Sequence, residues 1–271
     1  MFKSKSSKLA LILFLAMSML LAACGKGEKA STGGSSKNAL EQIKDKGKIV
    51  IGVKYDTRLF GLKNPTSGEV EGFDIDISKE LAKAILGDEK KVEFKEVTSK
   101  TRIPMLNNGD IDAIVATMTI SEERKKEVDF SDVYFMAGQS LLVKKGSPIK
   151  GLKDLKKGTK VLAVKGSTSA INIREKAPEA TVLEYENYTE AFTALKSGQG
   201  DALTTDDAIL YGMVDQDPKY QLVGGTFTEE PYGIAVKKGN KELVDAINDA
   251  LKKMKESGKY DEIKNKWIKT N

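Results

Sequence analysis

The chain has 271 residues, enough for one or two domains, and its 40% hydrophobic and 31% charged content is that of an ordinary soluble protein. The net charge of +5 falls to +2 once three lysines of an N-terminal signal are removed, and the remaining lysines are dispersed, which argues against nucleic-acid binding. With no histidine and one cysteine, the sequence excludes Ser-His-Asp and Cys-His catalysis and histidine-ligated metals, although carboxylate-only sites stay possible.

The N-terminal residues 1–23 predict a secretory signal peptide, because basic "MFKSKSSK" precedes an apolar run that is short for a membrane span. "LAAC" resembles the lipobox of bacterial lipoproteins, which implies cleavage before Cys24 and a lipid on its sulfur. Plain cleavage with Cys24 as a bystander is the alternative, but a cysteine used nowhere else favours lipidation. Residues 24–37, rich in Gly, Ser and Lys, predict a flexible tether.

From residue 48 the chain alternates strands and helices. The predicted strands are 48–54, 91–97, 112–117, 139–145, 160–166, 201–205 and 232–239. The predicted helices are 74–86, 101–109, one from Ser121, one from Ser169, 188–198, 206–214 and a final amphipathic series to Trp267. This order predicts two α/β units with mostly parallel sheets. Because ligands bind at the carboxyl ends of such strands, two facing units would form a cleft.

The segment "ATMTISEERKK" (116–126) places Arg124 in the first turn of a helix capped by Ser121. Helix starts prefer anions, so a cation there is unusual. Together with the hydroxyls of Thr117 and Thr119, its guanidinium would bind a carboxylate bidentately. A solvated arginine on a charged helix is an equally good interpretation of the pattern.

The second unit offers polar residues at two further strand ends. "KGSTSA" (165–170) contains Ser167, Thr168 and Ser169 at a turn into a helix, where ordinary N-capping needs only one of them. Asp206 follows the strand 201–205 and would suit an ammonium group, although a simple N-cap is the default interpretation.

Two cations complete the predicted site. Lys54 and Asp56 follow the first strand, where a surface pair is the usual outcome. Arg102 begins a short helix. The guanidinium of Arg124 would bind an anion, Asp206 would bind a cation, and Lys54 and Arg102 add further positive charge. Together they predict a receptor for a zwitterion with an acidic side chain.

Four stretches carry a resemblance to a known family. The chain resembles the bacterial extracellular solute-binding proteins of family 3, which deliver polar amino acids to ABC importers, over residues 40–269. The stretches that match, in order, are "GFDIDISKELAK" (72–83), "ATMTISEERKKEVDFSDVYF" (116–135), "AVKGSTS" (163–169) and "DALTTDDAILYG" (201–212).

The resemblance implies an α/β, type II periplasmic-binding-protein fold with two lobes, two mixed sheets with flanking helices and a two-strand hinge. The implied boundaries are lobe 1 at 38–133 and 235–271, lobe 2 at 139–229, and the hinge at 134–138 and 230–234.

The resemblance also implies roles for the site residues. Arg124 and Thr119, with the Thr168 backbone, would bind the α-carboxylate. Asp206 and the Ala116–Thr117 backbone would bind the α-ammonium. Arg102, assisted by Lys54, would face a side-chain carboxylate. The further ligand-binding candidates are Asp56, Phe60, Lys165, Ser169 and Tyr188; of these, Phe60 lies where the family often stacks an aromatic ring on the ligand.

The implied function is capture of a polar amino acid by hinge closure and delivery to the permease and ATPase subunits of an ABC importer. Glutamate or aspartate is favoured over glutamine, because a neutral amide leaves buried cations unpaired at a cost of about 3–5 kcal/mol. A glutamine-specific protein is the alternative. Other classes are a cyclohexadienyl-dehydratase-like enzyme using Asp206 or Glu230, and an adhesin or sensor domain.

We expect a monomer that is lipid-anchored on the outer face of the membrane. The tether and the lysine-rich surface favour a Gram-positive host. No catalytic residue, cofactor, metal or nucleic acid is expected.

Overall fold

A computed structural model describes residues 37–268 of the chain. The predicted signal peptide, Cys24 and almost all of the predicted tether lie outside the described residues.

The first sheet is built around β1, whose apolar run "IVIGV" is almost entirely buried, as expected for a strand covered on both faces. Its order is β5-β1-β6-β15-β7; β5 and β6 run parallel to β1, and β15 is antiparallel to β6 and β7. The strands are β1 (Ile49–Val53), β5 (Val92–Glu96), β6 (Ala113–Ile114), β7 (Val128–Phe130) and β15 (Ala235–Lys237).

The second sheet has the order β11-β10-β12-β9-β13, in which β10 pairs in parallel with β11 and β12, and β9 pairs antiparallel with β12 and β13. The strands are β9 (Gln139–Lys144), β10 (Lys160–Val164), β11 (Thr181–Tyr185), β12 (Ala202–Asp206) and β13 (Tyr220–Val223). Strands β11 and β13 were not predicted, because half-buried residues give them no clear alternation. The prediction of an α/β fold with two mixed sheets is confirmed.

Helices flank both sheets, and four of them begin after a residue whose side chain accepts from a free backbone N–H group, namely Asn38, Ser121, Ser167 and Asn187. Asn38 forms a capping box with Glu41, and glycines in the left-handed region end several helices. The helices are α1 (Ala39–Lys46), α2 (Phe73–Leu86), α3 (Arg102–Asn108), α4 (Glu122–Glu127), α5 (Thr168–Lys176), α6 (Tyr188–Lys196), α7 (Asp207–Gln216), α8 (Lys241–Glu256) and α9 (Lys259–Trp267). In this described part of the chain, no helix combines the length and apolar character needed to cross a membrane.

Two small sheets were only partly anticipated. An antiparallel ribbon of β8 (Phe135–Ala137) and β14 (Glu230–Tyr232) lies where the chain passes between the two large sheets. It coincides with the residues predicted as the hinge, while the lobe boundaries stay a prediction. The three-stranded sheet of β2 (Asp56–Thr57), β3 (Gly61–Lys63) and β4 (Val70–Glu71) was not predicted, since strands of two or three residues carry no periodicity.

An aromatic cluster fills the core between the ribbon and α2. Phe60 is fully buried and contacts Phe73, Phe135 and Tyr232 edge-to-face, with ring centroids 5.3 to 6.0 Å apart. Such contacts stabilise the core beyond simple area burial. The prediction that Phe60 stacks on a ligand is therefore wrong, because its ring is consumed by the core.

Candidate ligand-binding site

A small polar cavity lies where the strand ends of the two sheets meet. The space between its lining atoms, open solvent at its mouth included, is about 200 Å³. Residues from both sheets line it, so a molecule held there would contact both. The lining residues are Ser99, Arg102, Thr117, Thr119, Arg124, Ser167, Thr168, Ser169, Tyr188, Thr205 and Asp206.

Arg124 spans the cavity from the first sheet to the second. Ser121 caps α4, accepting from the Arg124 N–H, so the side chain leaves from the first turn. Its guanidinium donates to the Thr119 carbonyl at 2.7 Å and to the Gly166 carbonyl, beyond β10, at 3.2 Å. The side chain is buried, so the alternative of a solvated arginine is wrong.

Arg102 lines the same cavity at the start of α3 and is 2% exposed. One guanidinium nitrogen donates to the Ala116 carbonyl at 2.7 Å and lies 3.5 Å from that of Thr117. Its Nε finds no acceptor within residues 37–268. Burial, followed by the nearby charge of Arg124, lowers the pKa of Arg102 to about 9.

Asp206 faces the two arginines from the end of β12. It occupies the N-cap position of α7, but its carboxylate makes no capping hydrogen bond there; instead it accepts one from the Tyr232 hydroxyl. Burial and the neighbouring Glu230 raise the pKa of Asp206 to about 7, and the Tyr232 bond opposes that shift. A buried carboxylate of this kind gains much from a cationic partner.

The first turn of α5 contributes three hydroxyl side chains. Ser167 is the N-cap: its Oγ accepts from the Ala170 N–H at 3.2 Å and lies 2.8 Å from Ser169 Oγ. Thr168 is fixed differently, since its Oγ1 donates to Glu230 at 2.9 Å. Ser167 therefore performs the capping, and all three residues line the cavity.

Lys54 is buried rather than solvated. It is 0% exposed, donates to Ser99 Oγ at 3.0 Å and lies over the Tyr188 ring, 5.1 Å from its centroid. Asp56 instead accepts from the Tyr188 N–H of α6 at 2.6 Å, so it ties β2 to the second sheet. The interpretation of Lys54 and Asp56 as a surface pair is wrong. Desolvation lowers the pKa of Lys54 to about 8.

Lys165 does not reach the cavity. Its ammonium forms an exposed ion pair with Glu186, and it is not among the lining residues. A partner distant in sequence holds the side chain on the surface, and its ligand contact stays a prediction. Conversely, Ser99 and Thr205 line the cavity and were not assigned; their only sequence signal was adjacency to Arg102 and Asp206.

Glu230 was considered only as a possible catalytic acid. The structure instead bonds its carboxylate to Thr168 and to Asn172 Nδ2, the latter at 3.3 Å, on α5. Glu230 thus links the ribbon to the second sheet's helix.

Two sheets with flanking helices are joined by a short ribbon and share a polar cavity. This architecture defines a two-lobed solute-binding protein. The chain belongs to the bacterial extracellular solute-binding proteins, family 3, whose sequence profile matches residues 49–270. Members of this family act outside the cytoplasm and bind solutes; the prediction that the chain is not an enzyme is confirmed by its relatives.

Similar proteins cover nearly the whole chain. It is 72% identical over 269 residues to the ABC transporter glutamine-binding protein GlnH of Bacillus subtilis (strain 168), covering 98% of this chain and 97% of that protein. It is 67% identical over 223 residues to the glutamine-binding protein of Geobacillus stearothermophilus, covering 82% and 85%. A solved structure described as an ancestral arginine-binding protein bound to glutamine is 48% identical with a TM-score of 0.77, covering 82% and 98%.

Proposed function

We propose that the protein captures L-glutamine outside the cell and delivers it to an ABC importer. The observation that carries this proposal is the state of Arg102, whose guanidinium is buried in the cavity and already bonded to a backbone carbonyl. The two relatives of 67–72% identity named for glutamine support the same choice.

The preference for glutamine revises the earlier expectation of an acidic ligand. That expectation assumed that a neutral side chain would leave the cations of the pocket without partners. The carbonyls of Ala116 and Thr117 supply acceptors to Arg102, and Ser99 with the Tyr188 ring supplies a partner to Lys54. A side-chain amide oxygen accepting from the Arg102 Nε would complete its hydrogen bonds without a second negative charge.

The amino-acid backbone is assigned to the rest of the cavity. The ligand's α-carboxylate would lie against Arg124, with Thr119 and the N-terminus of α5 at Thr168 as further donors. Its α-ammonium would pair with Asp206, a buried carboxylate that lines the cavity and accepts a hydrogen bond from the Tyr232 hydroxyl. Ser169 and Tyr188 shape the walls.

Closure of the two lobes on the ligand is the proposed capture step. Arg124 contacts the second sheet's Gly166, and Asp56 contacts the backbone of Tyr188, so both contacts require the two sheets to lie close together. A ligand that completes this cavity biases the open–closed equilibrium toward the closed form. The permease would then recognise that form.

The protein is proposed to act as a monomer held at the membrane. Lipid attached to Cys24 would keep it beside the permease and ATPase subunits, and residues 25–37 would give it reach. Mass spectrometry of the protein extracted from membranes tests the lipid.

Calorimetric titration tests the ligand. The protein without residues 1–24 is unfolded to remove bound ligand, refolded, and titrated separately with glutamine, glutamate and aspartate. Tight binding of glutamine with at least about tenfold weaker glutamate, a difference of roughly 1.4 kcal/mol, is expected. Asp206→Ala is expected to lose binding of all three with its circular dichroism unchanged. Tighter glutamate than glutamine would overturn the choice of ligand and leave amino-acid capture intact.

A further inference from the structure

We propose that Asp74 is a positioning residue for ligand binding, which holds the Ala116–Thr117 peptide in the conformation that the cavity requires. The inference rests on the proposed function, because the Ala116 carbonyl of that peptide holds the guanidinium of Arg102, which is assigned to the ligand's side chain.

The carboxylate of Asp74 is divided between two donors. It lies in the first turn of α2 and is 0% exposed. One oxygen accepts from the Thr117 N–H at 3.0 Å, and the other accepts from the Tyr134 hydroxyl at 2.9 Å. Asp74 does not line the cavity itself, so any effect on a ligand must pass through the residues that it holds.

Thr117 has a backbone conformation that its side chain disfavours. Its φ is 45°, one of two positive values among non-glycine residues of the described chain. A β-branched residue in the left-handed region is a genuine outlier and persists only where its surroundings impose it. The hydrogen bond from its own N–H to a buried carboxylate is such a constraint.

The imposed conformation directs two carbonyl groups. With Thr117 so turned, the carbonyl of Ala116 accepts from Arg102 at 2.7 Å, and that of Thr117 lies 3.5 Å from the same nitrogen. Thr117 and Arg102 both line the cavity. Asp74 therefore fixes the Ala116–Thr117 peptide, and the peptide in turn fixes the guanidinium of Arg102. The affinity for a ligand that contacts the peptide or the guanidinium depends on this arrangement.

A simpler role for Asp74 is to favour the start of α2 by its charge. That role needs a negative charge near the helix end but no particular acceptor for Thr117. The two roles separate in paired substitutions. Asp74→Asn removes the charge yet keeps an amide oxygen for the Thr117 N–H, while its NH₂ group can donate to the Tyr134 hydroxyl. Asp74→Glu keeps the charge but moves the oxygens by one methylene group.

The experiment measures glutamine affinity by calorimetry and hydrogen exchange of the Thr117 amide in the ligand-free protein. Asp74→Ala and Asp74→Glu are expected to lose at least about tenfold in affinity, as for a lost buried hydrogen bond, and to expose the amide to exchange. Asp74→Asn is expected to stay within about threefold of wild type and to protect the amide. Tyr134→Phe is the matched control, because it removes the other bond to the same carboxylate: stability falls, but affinity is kept.

Several results would overturn the proposal. Wild-type glutamine affinity in Asp74→Ala, or a loss of affinity in Tyr134→Phe equal to that in Asp74→Ala, would assign Asp74 a structural role. Retained affinity in Asp74→Glu with lost affinity in Asp74→Asn would assign it a charge role. Should Asp74→Ala not fold, the contrast between the Asn and Glu variants decides. If wild type itself binds no glutamine, the proposed function fails, while the exchange of the Thr117 amide still tests whether Asp74 holds that peptide.

Discussion

The guanidinium of Arg124 donates a hydrogen bond across the cavity to the carbonyl of Gly166, 3.2 Å away. The contact joins the helix before β7 of the first sheet to the turn after β10 of the second. Gly166 has a φ of +75°, and a Cβ atom there would lie 2.8 Å from Lys100 Cα and 2.9 Å from the Ser99 carbonyl carbon. Glycine is therefore required for the two backbones to approach so closely.

Gly166→Ala is expected to weaken glutamine binding at least about tenfold, because the added methyl group meets backbone atoms of the opposite side and opposes closure. Small-angle scattering with and without glutamine should show reduced compaction. Gly198→Ala is the control, since Gly198 has nearly the same φ, +74°, with nothing near its Cβ position. Equal losses in the two variants would attribute the effect to backbone strain alone.

Arg102→Ala is expected to weaken glutamine binding by about 1.5–3 kcal/mol, the worth of a hydrogen bond to a charged group. Glutamate should lose more, because it also loses a charge partner. Titration of both ligands into the variant measures the difference. A variant that keeps wild-type affinity for glutamine would mean that the side chain supports the Ala116 peptide without touching ligand.

Glutamine affinity is expected to fall as the pH drops below about 7, because Asp206 has a raised pKa there and must be ionised to pair with an ammonium group. The limit for one proton released on binding is about tenfold per pH unit. Calorimetry in buffers of different ionisation enthalpy counts that proton. Asp206→Asn should bind weakly with a flat profile; a steep profile in that variant would assign the proton to another group.

The ligand-free protein is expected to show the opposite trend in stability. The pKa of Asp206 is raised from 3.8 to about 7 on folding, so its contribution is fully present below pH 4 and is lost as the pH rises through about 7. Thermal unfolding of wild type and Asp206→Asn between pH 5 and 8 checks this. Asp206→Asn should lose less stability than wild type over that range. Because the pKa of Asp74 is also raised to about 7, the stability of both proteins should still fall with rising pH.

Phe60→Leu is expected to destabilise the fold by about 1–3 kcal/mol by loosening the aromatic cluster, with little change in ligand affinity. Denaturant unfolding and calorimetry measure the two quantities. Phe192→Leu, in the core of the second sheet, is the matched control. A large loss of affinity in Phe60→Leu alone would restore a role for its ring at the site.

Local pattern was enough to predict the large elements and much of the cavity. Helix α2 has apolar residues at helical spacing and a glycine stop, and β1 is a β-branched run, so both follow from the sequence. Arg124 stood out because a cation in the first turn of a helix is unusual, whereas Asp206 was assigned to the site through the family resemblance, since an aspartate at a helix start is by default an N-cap.

The fate of individual side chains was not predictable. The charge of Lys54 predicts a position on the surface, and the aromatic ring of Phe60 predicts a position in the binding site. Both side chains are instead buried, because residues distant in sequence enclose them. The ring of Tyr188 covers Lys54, and Phe135 and Tyr232 enclose Phe60. The position of Lys165 is likewise set by a residue distant in sequence, because its ammonium forms an ion pair with Glu186 on the surface. Pairings between residues far apart in the chain leave no local signature.

The sheet order has a consequence for how the chain folds. The first sheet takes its fourth strand, β15, from near the end of the chain, where Ala235 pairs with Ile114. Contacts of such high sequence separation slow folding, because loop closure precedes any gain from pairing. Until the chain up to β15 is available, the edge of β6 that pairs with it stays open. An unpaired strand edge of this kind is a template for pairing with another chain.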